Sequence, residues 1–206
     1  MTIDRSRSPL AAASMARLRA LFMPCLVVAV GMLATHAADA AVVVPKAFSA
    51  YGSTPVPGGE CIAGDTTKEG MNGHAYVYVK DTGSQRPRWI TAIPVPEHYY
   101  QNRATHCFAM NGSLYVLVQS DTSQATSLSQ TVLNVVELSP DTGTILTDRY
   151  ADVPGVEEAY SSWVEKGSEG FHENRGQIEV SGKYFMMNDS TKPMPFTVTL
   201  PPHSTP

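Results

Sequence analysis

The chain has 206 residues, with 15 Lys and Arg against 19 Asp and Glu, for a formal net charge of −4. An acidic surface repels phosphate backbones, and no cluster of basic residues follows the first forty positions, so nucleic-acid binding is disfavoured. The length suits a single domain around one core.

The N-terminus reads as an export signal. Arg5, Arg7, Arg17 and Arg19 precede an uncharged run from Ala20 to Leu33, and Ala38-Asp39-Ala40 follows as a small-residue cleavage site. A positive region, a short apolar region and an A-x-A site are the three parts of a signal peptide. The apolar run is 14 residues long and contains Pro24, whereas a membrane span needs about 20 apolar residues. Cys25 lies inside this run rather than after it, which argues against lipid anchoring. Met15 could open a compact signal by itself, so Met1 and Met15 are both candidate starts. Cleavage after Ala40 leaves 166 residues with 11 Lys and Arg against 17 Asp and Glu, a net charge of −6. The expected location is the periplasm or outside the cell, with no membrane span after cleavage.

Residues 41–60 contain Ser53-Thr-Pro-Val-Pro-Gly-Gly59 and read as an N-terminal extended segment or linker, because each proline fixes its own φ and restricts the residue before it. Residues 61–200 read as one β-rich domain, and 201–206 as a flexible tail. Within the domain, Met71-Asn-Gly-His-Ala-Tyr-Val-Tyr-Val79 and Met110-Asn-Gly-Ser-Leu-Tyr-Val-Leu-Val118 match at six of nine positions, and Val180-Ser-Gly-Lys-Tyr-Phe-Met-Met187 echoes them. Each copy predicts a tight Asn-Gly or Ser-Gly turn feeding a strand. A turn-to-strand unit at a spacing near 40 resembles the blade period of β-propellers.

Residues 88–94, 130–138, 144–150 and 196–200 also carry strand-forming composition bounded by Pro, Gly or Asp. The fold class expected is mainly β, an antiparallel meander built as a sandwich or an incomplete propeller-like sheet. One segment departs from it. Val156, Ala159, Tyr160, Trp163 and Val164 recur at helical spacing, with Glu157 and Glu158 in the first turn, Lys166 in the last and Gly167 beyond, which predicts one short amphipathic helix over 155–166.

Two cysteines remain after signal removal, Cys61 and Cys107. An even count in an oxidising compartment points to a disulfide, with two buried free thiols as the alternative.

No catalytic constellation stands out. Asp81-Thr-Gly83 and Asp141-Thr-Gly143 resemble the active-site triplet of aspartic proteases, but Lys80 and Pro140 stand where that family has apolar residues. An ordinary turn with a terminal glycine has the same pattern. His74, His98, His106, His172 and His203 form no metal-binding pair by spacing, and no cofactor motif is present. Glu97-His98 and His172-Glu173 are acid–imidazole neighbours in segments that read as loops. The candidate binding residues are His98, Tyr99, Tyr100, His172 and Glu173, because loop tyrosines give large contact area with a polar tip. The functional expectation is an exported non-catalytic protein that binds another macromolecule, with a protein partner and an inhibitor or immunity role as its concrete form. A small envelope hydrolase and a structural component of an envelope assembly are the alternatives.

Overall fold

The computed structural model describes residues 42–68, 71–84, 86–123 and 129–202. They form three antiparallel sheets in chain order. Sheet one is the meander β1 (Phe48–Val56), β2 (Gly59–Lys68), β3 (Met71–Asp81) and β4 (Pro87–Ala92). Sheet two repeats the plan with β5 (Gln101–Met110), β6 (Ser113–Asp121), β7 (Thr131–Leu138) and β8 (Ile145–Tyr150). Sheet three holds β9 (Tyr160–Trp163), β10 (Phe171–Asn174), β11 (Gln177–Met186) and β12 (Asp189–Leu200). Here β10 and β9 pair with successive halves of β11, while β12 pairs with its other edge. The architecture is mainly β and antiparallel, as expected, and among the described residues no barrel closes. Among the described residues no helix is long and apolar enough to cross a membrane.

Sheet two is the middle layer. In β6, Leu114, Val116 and Val118 join Cys61, Val77, Val79 and Trp89 of sheet one in one core cluster. Tyr115 and Leu117, on the opposite face, join Phe171, Ile178, Val180 and Phe196 of sheet three in the other. Successive side chains of a strand point to opposite faces, so a strand covered on both sides carries an uninterrupted apolar run. That is why Leu114–Val118 does not alternate.

A bulge sets which residues of β5 serve which core. The pairing slips between Ala104 and His106, which lets Ala104 and Cys107 both face sheet one while Phe108 and Met110 face sheet three. An extra residue in one strand changes the parity of everything beyond it. The disulfide between Cys61 of β2 and Cys107 of β5 therefore ties sheet one to sheet two inside their shared core, with a Cα–Cα distance of 6.4 Å.

Three expectations are corrected. The first is the helix over 155–166. Gly155 has φ +73°, Tyr160–Trp163 is strand β9 paired with Lys183–Met186 of β11, and no residue among those described in this segment is helical. The backbone explains why: the Ala159 carbonyl accepts from Met187 N at 2.9 Å and the Val153 amide donates to the Tyr160 hydroxyl at 3.1 Å. An edge of β11 was available to pair, and the Tyr-Ser-Ser-Trp stretch has little helix preference to resist it. The second is the 41–60 linker, since its second half is extended but not free: Phe48–Val56 pairs with β2 from Thr66 to Gly59.

The third correction concerns the repeat. Only Asn111-Gly112 makes the predicted tight turn, with φ of +51° and +80° between the paired residues Met110 and Ser113. Asn72, at φ +52°, sits instead at the slip in β3 between the Thr66–His74 and Lys68–Met71 pairs, where asparagine tolerates the left-handed backbone of a bulge. Ser181-Gly182 lies within β11, and the turn before that strand is Arg175-Gly176, with φ of +53° and +78°. The copies also occupy different places, the third strand of sheet one and the second of sheet two. The repeat is a hairpin preference reused, while the sheets themselves repeat on a longer period.

Gly182 has its own requirement. A Cβ there would run into the carbonyl oxygen of Trp163 on β9, because the two strands approach with no room for a side chain. Gly182→Ala is expected to push β9 off β11 at this pair and to lower stability by about 1–3 kcal/mol, the range for overpacking. Urea denaturation followed by tryptophan emission measures both effects, since Trp163 is one of two tryptophans in the chain.

Candidate functional site

The face of sheet two that packs on sheet three is apolar along most of its length and polar at one end. On β6 the sequence Tyr115, Leu117, Gln119, Asp121 runs along this face, beside Gln101 and Arg103 on β5 and Thr131 on β7. These polar residues line a pocket of about 510 Å³ to which Tyr51 of β1, Ser161 and Trp163 of β9, and Lys166 also contribute. All three sheets therefore meet at it. Its size falls within the roughly 300–1,000 Å³ of ligand pockets.

Asp121 organises the pocket. Its Oδ2 accepts from Gln101 Nε2 at 2.8 Å and from Arg103 Nη1 at 2.7 Å, and its Oδ1 accepts from the Thr131 hydroxyl at 2.7 Å. Burial alone would raise the carboxyl's pKa, but the Arg103 charge and these hydrogen bonds outweigh it and hold it below the usual carboxylate range. Gln119 Nε2 donates to the Val164 carbonyl at 3.0 Å and to the Thr105 hydroxyl at 3.3 Å. Ser161 Oγ accepts from Thr131 N at 2.9 Å, fixing β9 against β7. Lys166 Nζ stands 5.0 Å from the centre of the Tyr51 ring, a cation–π contact that links sheet one to the segment after β9. Trp163 donates from Nε1 to Glu165 at 3.1 Å, and its ring lies 5.8 Å from that of Phe185.

A second carboxyl couples to this group. Asp65 of β2 is buried, which pushes its pKa up, with Arg103 opposing. The two aspartates shift in opposite directions, and so do their effects on stability. Asp121 has a depressed folded pKa, so its contribution is present above the unfolded value and lost as pH falls through the folded one. Asp65 has a raised folded pKa, so its ionisation destabilises the fold as pH rises from the unfolded value through the folded one. Asp65→Asn is expected to increase stability at neutral pH and Asp121→Asn to lower it there, while in acid, with both carboxyls protonated, each variant stays close to the parent. Urea midpoints of both variants across the acid range check this.

The residues singled out from sequence are dispersed. His98, at φ +71°, is exposed and sits 3.5 Å from Glu97. The Tyr99 hydroxyl bonds with Tyr150, and burial first, then this bond, push its pKa up to about 12. Tyr100 donates its amide to the Asp121 carbonyl at 2.8 Å, which ties it to a pocket residue. His172 Nδ1 lies 2.7 Å from the Glu169 carbonyl oxygen, and Glu173 caps the β10–β11 turn by accepting from Gly176 N. His172 also lines a separate cavity of about 390 Å³ with Thr54, His106 and Cys107. His74 is exposed on β3, and His203 lies outside the described residues.

The two Asp-Thr-Gly triplets are turns, with φ of +78° at Gly83 and +71° at Gly143. Arg88 bridges the first triplet to the residue before the second, donating from Nε to Asp81 at 2.7 Å and from Nη1 to the Pro140 carbonyl at 3.3 Å. Among the described residues no three His, Cys, Asp or Glu side chains are grouped to hold a metal ion.

The pocket residues escaped the sequence reading because each looks like an ordinary strand position. One signal was there: Gln119 and Asp121 continue the face of Tyr115 and Leu117, so polar side chains occupy positions that the pattern assigns to the interior. No protein-family model, curated protein or solved structure matches this chain.

Proposed function

We propose that this chain is an exported, non-catalytic protein that binds another macromolecule, and that the pocket at the meeting of the three sheets is where it binds. The observation that carries this reading is the Gln101–Arg103–Asp121–Thr131 network on the pocket wall. Both oxygens of Asp121 are engaged by fixed donors and its proton affinity is depressed, which suits a wall that positions a ligand rather than a base that takes up a proton. The buried disulfide is compatible with an oxidising compartment. The hydrolase alternative draws support from the opposed shifts of Asp65 and Asp121, the pattern of an acid–base pair, but Asp65 is only 4% exposed.

The test is a capture from the envelope fraction of the source cells, with residues 41–206 as bait beside its Lys166→Ala and Trp163→Ala variants. The proposal expects a component, protein or polysaccharide, retained through a salt wash by the parent bait and lost from both variants. Retention that ignores both substitutions would move the binding surface elsewhere, and an empty bait would end the reading.

A further inference from the structure

Building on that reading, we infer that the ligand seated in the pocket is an uncharged stretch of carbohydrate chain, held by hydroxyl-directed hydrogen bonds against an aromatic wall.

Charge is the first consideration. Arg103 is neutralised by Asp121 at 2.7 Å, and Glu165 by Lys183 at 3.4 Å. Lys166 lies over the Tyr51 ring and keeps its charge. A site meant for a phosphate or a carboxylate leaves a guanidinium or ammonium uncommitted to pair with it, commonly in a bidentate fork. Here the lining carries two cations, Arg103 and Lys166, against two carboxylates, Asp121 and Glu165, so its formal charges cancel and the pocket presents dipoles and balanced charge rather than a net field.

Hydrogen-bonding pattern is the second. Gln101, Gln119, Arg103 and Asp121 are planar groups, and Thr131 and Ser161 add hydroxyls on the same wall. Amides and hydroxyls both donate and accept, guanidinium donates and carboxylate accepts. A sugar ring offers several hydroxyls, each both donor and acceptor, and therefore matches a mixed wall of this kind. Gln101, Arg103 and Asp121 are held in place by their mutual bonds and Gln119 by Val164 and Thr105, so little side-chain entropy is lost when a ligand arrives.

Aromatic surface is the third. Trp163, Phe185 and Tyr51 line the same pocket as the polar groups. A pyranose has an apolar C–H face as well as its hydroxyl rim, and burying that face on an aromatic ring is favourable. A wall that is polar on sheet two and aromatic on the side of sheets one and three suits such a two-faced ligand. A volume of about 510 Å³ accommodates more than one ring, which suits recognition of a chain within a polymer.

The experiment is titration of residues 41–206 with cello-, malto- and chito-oligosaccharides of increasing length, read by tryptophan emission and by calorimetry. At least one series should bind, with affinity rising to two or three rings and then levelling, and with little dependence on salt. Trp163→Ala and Tyr51→Leu should each weaken binding tenfold or more. Tyr51→Leu keeps the test open should loss of Trp163 disturb β9. Binding that weakens steeply with salt, or that survives both substitutions, overturns the inference. So does a failure of all three series. A pocket-dependent protein in the envelope capture that these sugars do not displace would also overturn it while leaving the proposed function standing; an empty capture would remove both.

Discussion

Alanine at both Cys61 and Cys107 is expected to lower the stability of the domain by about 4 kcal/mol, from the loop-closure entropy released to the unfolded chain. The two cysteines are 46 residues apart in sequence, so the cross-link removes a long loop from the unfolded ensemble. Both are buried in the core between sheets one and two, and alanine leaves only a small void there. The loss should therefore be mostly that of the cross-link. Urea denaturation of the double variant, compared with the parent under reducing conditions, measures it, and the two should agree. Hydrogen exchange adds a spatial readout. With the link gone, β1–β4 should exchange faster than β9–β12, because only sheet one is tied to sheet two by the bridge. A change below about 1 kcal/mol would mean that core packing alone holds these sheets together and that the unfolded chain is already compact.

The second large effect is at the pocket. Asp121→Ala removes the acceptor shared by Gln101, Arg103 and Thr131 and leaves a largely buried guanidinium without its counter-charge. Breaking one side of a buried pair costs about 3–5 kcal/mol. The Arg103 side chain retains 23% exposure, so the lower end of that range is expected. Replacing both partners, Arg103→Met with Asp121→Leu, should recover most of the stability, since an apolar pair of similar volume leaves no charge stranded. It should not recover ligand binding. Stability restored with binding still absent would show that the network is kept for recognition; binding restored with stability would remove the pocket from the functional account.

The β-sheet character of this chain was legible from local pattern. Strand-forming runs such as Leu114–Val118 and Thr131–Leu138, bounded by turn residues, have few other ways to satisfy their backbone and bury their side chains. The cysteine pair was legible by count. Turn chemistry was legible only in part. Asn111-Gly112 turns where the two flanking segments are of a length to pair, whereas Asn72-Gly73 has the same residues and becomes a bulge because the hairpin's last pair, Lys68 with Met71, is already formed. The helical spacing of Val156 to Val164 was real, yet spacing describes only which side chains share a face if a helix forms. It contains nothing about the open edge of β11, and the hydrogen bonds at that edge decided the outcome.

The site lies further from the sequence still. Gln101, Arg103, Gln119, Asp121 and Thr131 become neighbours through the register of β5, β6 and β7, and the bulge near Thr105 sets which of the β5 residues face the pocket. Tyr51 and Trp163 reach it from the other two sheets. What the sequence by itself determined is the local alphabet: strands and the residues of the cross-link. The tertiary structure alone decided where polar side chains interrupt an otherwise apolar interface, because register, bulge and sheet packing are long-range pairings and a residue's own neighbours do not encode its partner across the sheet.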